Sequence, residues 1–481
     1  MLQTLKNAWS TKEIRSKILF TLFILLLYRV GTVIPVPFVE ANDFAQSLDG
    51  TILEYMNVLS GGSMGAMTLF ALGVQPYINA SIIIQLLAVV FPKLGELGKT
   101  DKKKMNLITR LVTVAIAIVT AIGYYFLLSN GSNGTSYLTH RASSGSMAWF
   151  YGVVIVVCYT AGASLVMWLA ERINERGIGN GISMILFANI VAAVPSFVFN
   201  LVDLVVLTYG YPVDTWKYAL VTTLFAVLLV AFLLALIAFV IFVTGSERRI
   251  PVQYAKKVVG RKMYGGQSTH LPIKLNMTGV MPIIFASSIV SFVPTVLQIV
   301  SGSLPNGLPA GWQKFAQIIG TNGVVYPIVL FVLIIGFAYF YTQITFDPIE
   351  VANNLKKNGG AIPGIRQGRP TSDHIRKILN KITLAGALFL SFIAILPTLL
   401  GPHVFQHIFK WIYMGGYLEA IAAYPTLSVL YEYYAEQGAA GLVSVFSFGG
   451  TTLLIVVGVA IETFRELEAQ LTMRNYKGFL N

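Results

Sequence analysis

The stretch WKYALVTTLFAVLLVAFLLALIAFVIFV, from Trp216 to Val243, has no charged residue after Lys217 and neither proline nor glycine. It exceeds the ~20 apolar residues a helix needs to cross a hydrocarbon core. In lipid each backbone N–H and C=O must find its partner inside the segment, and a helix provides that. The stretch is therefore read as a transmembrane helix, and the rest of the chain is read around it.

Nine more apolar stretches, bounded by charge or by Gly, Pro and Asn, have similar length. They run over Ile18 to Pro35, Leu72 to Phe91, Leu107 to Leu128, Trp149 to Ala170, Ile182 to Leu207, Val280 to Val300, Val324 to Phe346, Ile382 to Leu400 and Phe446 to Ile461. Composition agrees. Of 481 residues, 55% are hydrophobic and 11% charged, against about 25% charged in a soluble domain, and mean hydropathy is +0.70. The expected fold class is an all-α polytopic membrane protein of ten transmembrane helices, which excludes a water-soluble enzyme. The first span has the basic flank of a signal peptide (Lys12, Arg15, Lys17), but Tyr28, Arg29 and Pro35 stand where small residues would be cut, so it is read as a retained anchor.

Ten spans with an inner N-terminus assign every loop to a side before any charge is counted. Of the 34 basic residues, all but Arg29, Arg141, Lys217, Lys314 and Lys410 then fall on inner segments. Positive-inside bias of this size places both termini in the cytoplasm. Two inner connections, Thr244 to Gly279 and Asp347 to Lys381, are too long and too basic for simple linkers. They read as a docking platform for phosphate-rich or acidic partners, with Gly265-Gly266, Gly359-Gly360 and Gly364 free to make tight turns at the tips.

The spans lack what solute pumps carry, because ionisable residues at mid-membrane are costly and usually functional. Of the acids only Asp203 lies within a span, near its outer end, and Arg29 is the only comparable base; Arg29 is expected to snorkel or pair in a structural role. A solute transporter with broken helices would lack a charged coupling site here. Gly98-Lys99-Thr100 imitates a phosphate-binding loop, yet the required upstream glycine is Lys93. Gly177, Gly179 and Gly181 have no βαβ context for a dinucleotide, so they read as a tight re-entry into the fifth span. Asn130 and Asn133 begin glycan-acceptor tripeptides that read as ordinary loop. The single cysteine, Cys158, rules out a disulfide framework, and the five histidines (His140, His270, His374, His403, His407) fall in loops. No metal, cofactor or catalytic residue is expected. One short glycine-rich run, Gly61 to Phe70, is too short to cross. At membrane depth it must be buried in protein or line a cavity, either as a pore plug or as an outer loop with a half-turn of interfacial helix.

Several long stretches resemble the SecY family, the central subunit of the bacterial protein-conducting channel. They are Phe70-Ala-Leu-Gly-Val-Gln-Pro-Tyr-Ile-Asn-Ala-Ser-Ile-Ile-Ile-Gln-Leu-Leu87, Glu175-Arg-Gly-Ile-Gly-Asn-Gly-Ile-Ser183, Gln267 to Asn276 with Ile284-Phe-Ala-Ser-Ser288, Asn353 to Gly359 with Pro363-Gly-Ile-Arg366, and Phe448 to Ile455. The resemblance implies two pseudo-symmetric five-helix halves around an hourglass pore: 18–209 after a cytoplasmic N-terminus of residues 1–17, and 210–481. The second half holds the cytoplasmic loops 244–279 and 347–381, an atypical outer insertion at 401–444 and a cytoplasmic tail at 462–481. The insertion is aromatic-rich and interrupted by charge, glycine and proline, and reads as an interfacial or extracellular helical cap in preference to a pair of extra half-spans.

Carried over position by position, the family's pore ring falls on Val74, Ile78, Ile182, Leu186, Ile284 and Ile455. All are aliphatic, as suits a seal that blocks ions by dewetting and deforms around a chain of any sequence. Gln75 stands where the family usually has an apolar residue. The family's plug falls on Ser60, Gly61, Gly62, Ser63, Met64, Gly65, Ala66, Met67, Thr68, Leu69 and Phe70. Its lateral gate, between spans two and three and spans seven and eight, places Asn79, Gln85 and Asn276 at the seam, where weak polar latches would let a signal segment open it. Its docking site for the SecA motor ATPase and the ribosome falls on Arg248, Arg249, Arg261, Lys262 and Arg366. SecE and SecG are the implied membrane partners, unfolded preproteins and signal sequences the implied cargo, and membrane lipid the medium beyond the gate.

Overall fold

The computed structural model describes residues 2–40, 44, 48, 52–130, 136–139, 147–209, 216–254, 257–259, 262–264, 268–303, 309–319, 325–400 and 450–477. The outer insertion at 401–444, Arg261, Gly265-Gly266, His140, His403, His407 and Asn133 lie outside them.

The chain is a multi-pass helical membrane protein, and a helix occupies at least part of each of the ten predicted spans among the described residues. In chain order the helices are α1 (Leu2–Ser10), α2 (Lys12–Gly31), α3 (Ile52–Leu59), α4 (Gln75–Val90), α5 (Pro92–Thr100), α6 (Lys102–Asn130), α7 (Ala148–Arg176), α8 (Gly181–Tyr209) and α9 (Trp216–Gly245). After a run of strands follow α10 (Met281–Ser303), α11 (Ala310–Ile319), α12 (Val325–Thr345), α13 (Pro348–Lys357), α14 (Arg369–Leu400) and α15 (Gly450–Lys477). Among the described residues six helices are long and apolar enough to cross a membrane by length and composition: α6, α7, α8, α9, α12 and α14. A seventh candidate is α4 joined to α5, bent by 118° at Phe91. The bend has a local cause: Pro92 disfavours helical geometry at the preceding residue, and Phe91 is extended at φ −105°, ψ 102°.

One apolar core runs through both halves, from Ile24 and Tyr28 on α2 to Ile455 and Val457 on α15. On the first half's side α4 packs against α6, α6 against α7, and α2 against α7; on the second, α10 packs against α12 and α12 against α14. The halves meet where α10 touches α4 and α6, and where α8 touches α9 and α15.

The expected fold class needs additions at the basic end. Glu247–Tyr254 (β1), Lys257–Val259 (β2), Lys262–Tyr264 (β3), Ser268–Lys274 (β4) and Gly360–Ala361 (β5) are strands. β1 pairs antiparallel with β4 along Glu247↔Lys274 to Gln253↔Ser268, and with β5 on its other edge at Gln253↔Ala361. The two basic loops are thus one unit. Ile250, Val252 and Ile273 from the sheet and Ile362, Ile375 and Leu379 from the second loop share a small core of their own. That core explains why the ninth span's helix begins at Arg369 rather than Ile382, since its first turns are amphipathic and bury Ile375 and Leu379. The segment expected as a tail from 462 likewise continues α15 to Lys477.

Candidate functional site: a sealed waist, a plug and a side seam

Val74 is the residue before α4, in αR geometry, and Ile78 lies one turn into that helix. Ile182 and Leu186 occupy the first turns of α8, whose free N–H groups are met by side chains: Gly181 donates to Asn174 Oδ1 at 2.7 Å and Ile182 to Asn180 Oδ1 at 3.0 Å. Gly179 before it has φ +83°, so the glycines that looked like a re-entry turn do make one. Ile284 opens α10 and Ile455 opens α15. All six predicted ring residues are buried, at 1–8% exposure, and belong to one cluster. Gln75, the polar residue beside them, is half-buried at the start of α4. A small cavity borders this waist, lined by Met56 and Leu59 of α3, Ala71, Leu72, Val74 and Leu186.

Residues 60–70 form a run of turns, with the helix α3 immediately before it at Ile52–Leu59, a helix the sequence reading placed nowhere. Gly61 and Gly62 have φ of +69° and +85°, and Met67 has φ +49°. Most of the run is packed inside the protein: Ser60, Ser63, Met64, Met67, Thr68 and Phe70 are all buried, while Gly62 and Ala66 are exposed. Its backbone is tied from several sides. Tyr124 of α6 donates its hydroxyl to the Met64 carbonyl at 2.7 Å, Asn57 Oδ1 accepts from Gly65 N at 2.8 Å, and Leu69 N donates to Ile34 O at 2.9 Å. Phe70 stacks on Tyr28, ring centroids 5.4 Å apart. Asn189 of α8 donates to the Leu59 carbonyl at 2.7 Å and to the Tyr28 hydroxyl at 2.9 Å. Arg29 has a structural place beside this site: its guanidinium donates to the Ala188 carbonyl at 2.6 Å, joining α2 to α8. Buried Ser63 Oγ and Asn189 Oδ1 lack hydrogen-bond partners among the described residues.

At the seam, one of the three predicted polar residues bonds across. The Tyr341 hydroxyl of α12 donates to Gln85 Oε1 of α4, and Tyr341 also packs on Phe285 of α10 at 5.1 Å. Asn276, just before α10, is buried with its Oδ1 unpartnered among the described residues, and Asn79 is half-buried on α4. Tyr341 was missed because its signal, a phenol in an apolar helix that must place its O–H somewhere, names no partner.

At the basic end, Arg248 and Arg249 are exposed on β1, and Arg249 Nε lies 2.7 Å from Glu247 Oε1. Arg366 is exposed in the turn after β5, between Gly364 (φ +81°) and Gly368 (φ +94°). Because β5 pairs with β1, the turn that carries Arg366 is joined to the sheet that carries Arg248 and Arg249. Lys262 lies on β3. Asp347 caps α13 by accepting from Ile349 N at 2.8 Å, and Lys356 and Lys357 in its last turn suit the negative end of the helix dipole. Burial pushes the Lys274 ammonium below its ordinary range, and nearby Arg465 adds to the shift against the pull of Glu247. Gly98-Lys99-Thr100 ends the helix α5, not a phosphate-binding loop.

Comparison with known proteins agrees with this geometry. The SecY family model matches residues 68–464. The chain is 39% identical to the protein translocase subunit SecY of Streptomyces coelicolor over 490 aligned residues, and 39% identical to that of Mycobacterium tuberculosis over 498, covering 100% of each protein. Among solved structures, a protein conducting channel aligns with a TM-score of 0.59 at 16% identity over 95% of this chain and 92% of that one. A SecY protein whose plug domain stabilises the closed state of its channel aligns at 0.57 and 16% identity over the same shares. Sec61 of a canine ribosome-channel complex aligns at 0.55 and 14% identity over 95% and 92%. At these identities the structural likeness concerns the fold.

Proposed function

Because the chain belongs to the SecY family of protein translocase subunits, we propose that it conducts unfolded secretory polypeptides outward across the bacterial cytoplasmic membrane, with both termini inside, and releases hydrophobic helices into lipid through the seam between α4 and α6 and α10 and α12. The observation that carries this reading is the single buried cluster of Val74, Ile78, Ile182, Leu186, Ile284 and Ile455, drawn from four helices or helix starts in both halves. An aliphatic waist offers a passing chain no hydrogen bond to hold it, and at rest it excludes ions by dewetting. Residues 60–70, enclosed on the opposite end from the basic sheet, act as the plug. The Tyr341–Gln85 bond latches the gate, with Asn79 and Asn276 assigned to the same seam.

The sheet bearing Arg248 and Arg249, with Lys262 on the separate β2–β3 hairpin and with Arg261 and Arg366, docks the SecA motor, where ATP is hydrolysed, and the ribosome. Clustered arginines suit acidic patches and RNA phosphates alike through bidentate contacts. SecE and SecG are its small membrane partners. The reading is tested by disulfide trapping in a Cys158→Ser background, with one cysteine at Ile78 or Ile284 and one in a stalled secretory precursor. Cross-links at both positions that vanish with a defective signal sequence are expected. If neither forms while the precursor still engages the membrane, the ring assignment fails.

A further inference from the structure

The middle of α15 holds more than its own helix. Glu462 accepts a hydrogen bond from the Val280 N–H at the start of α10. A Cβ at Gly279 (φ +63°) would run into the same carboxylate, so only glycine lets the chain approach this closely. One turn on, Glu466 Oε2 accepts from Gly179 N at 2.9 Å, in the glycine turn that opens α8. Between them Arg465 donates to the Thr244 carbonyl near the end of α9 at 2.9 Å, and Thr463 reaches Met184 Sδ of α8 at 3.5 Å. Beyond them Lys17 of α2 donates to Gln470 at 3.2 Å.

Five residues of one helix thus grip the basic ends of four others, and the two carboxylates grip the starts of α8 in the first half and α10 in the second. Both sit at helix N-termini, where negative charge is favoured and backbone N–H groups lack helical partners. We propose that Glu462 and Glu466 are positioning residues of the gate: by fixing the starts of α8 and α10 to α15 they set how readily α10 swings from α4 and α6. The inference rests on the proposed seam being a gate. It adds a hinge, at the end of the molecule where motor and ribosome dock, that neither ring nor latch supplies.

The test uses the full-length Cys158→Ser channel in its native membrane complex, with spin labels at Val119 on α6 and Val332 on α12, both exposed to lipid. Pulsed electron–electron resonance reads the distance distribution without any precursor. Glu462→Ala is expected to raise the ratio of long to short distances about tenfold, the effect of losing one hydrogen bond to a charged group. Glu466→Ala is expected to act in the same direction. Glu462→Gln, isosteric and still able to accept from Val280, should return most of the short population. Glu468→Ala, exposed on the same helix, should change nothing. Unchanged distances in both alanine variants, or an equal shift in Glu468→Ala, overturn the proposal. If the precursor still cross-links to Ile78 and Ile284 in that case, the hinge fails alone; if the parent chain gives no such cross-links, the channel reading has failed with it.

Discussion

The hydroxyl of Tyr341 donates to the amide oxygen of Gln85 although the two residues lie 256 positions apart. This bond ties α12 of the second half directly to α4 of the first, in a wall where most contacts are apolar. Hydrogen bonds between helices in a membrane are worth about 0.6 kcal/mol on average, so the latch is weak enough for a hydrophobic segment entering lipid to overcome. Tyr341→Phe keeps the ring on Phe285 and removes only the donor. It is expected to allow export of precursors with weakened signal sequences, about threefold above the parent, at unchanged rates for intact signals. Export equally strict in both would show that the bond does not guard the seam.

Tyr124→Phe probes the plug. The variant leaves the buried Met64 carbonyl without its donor, which costs about 1–3 kcal/mol in the enclosed state. In the proposed open state residues 60–70 leave their site, and that state would not bear the cost. Ion conductance of reconstituted channels at rest should rise by about tenfold, while the folded channel is recovered in normal yield. Silent bilayers would mean that the carbonyl finds another partner or that the run does not seal the pore.

Much of this was legible in the sequence, and the failures have physical reasons. Hydropathy located a helix at every predicted span because lipid enforces backbone satisfaction locally. It mislocated the start of α14, where the polar residues from Arg369 onward hide an apolar i, i+4, i+7 rhythm in Ile375, Leu379 and Ile382. It also hid β1, although Ile250, Val252 and Tyr254 recur at the period of a strand, separated by Pro251 and Gln253. Neither the pairing of β5 with β1 nor the Tyr341–Gln85 bond is local, and no spacing rule reaches from Gln253 to Ala361 or across the 256 positions from Gln85 to Tyr341. The ring residues were placed by resemblance alone, since a lone buried isoleucine looks the same in any core.

Glu462 gives a pH signature. Burial raises its carboxyl above the ordinary glutamate value of 4.5, and neighbouring Glu466 adds to the shift. The Val280 N–H and Arg465 oppose it, with Lys274 beyond Arg465. In the window from the unfolded value up to the raised native one, the folded state therefore holds more protons than the unfolded chain. Its contribution to stability is present below that window and is lost as pH rises through it. Thermal unfolding followed from about pH 4 to about pH 8 should show the parent losing stability with rising pH relative to Glu462→Gln, which cannot titrate. Parallel curves would place the native carboxyl at its ordinary value.

Gly162 and Gly336 make a matched pair on two membrane helices. A Cβ at Gly162 of α7 would collide with the Leu69 carbonyl of the plug run, whereas at Gly336 of α12 no atom lies within 4 Å. Alanine raises helix propensity by about 1 kcal/mol at either site. At Gly336 nothing opposes that gain, so Gly336→Ala should leave the unfolding midpoint in detergent unchanged or raise it. At Gly162 the helix must retreat from Leu69, whose N–H is held by Ile34, and overpacking of this kind costs about 1–3 kcal/mol. Gly162→Ala should therefore lower the midpoint and, because the strain falls on the plug, also make the resting channel leak. A lower midpoint without leakage would mean that the strain is absorbed within α7 and that Leu69 is not part of the seal.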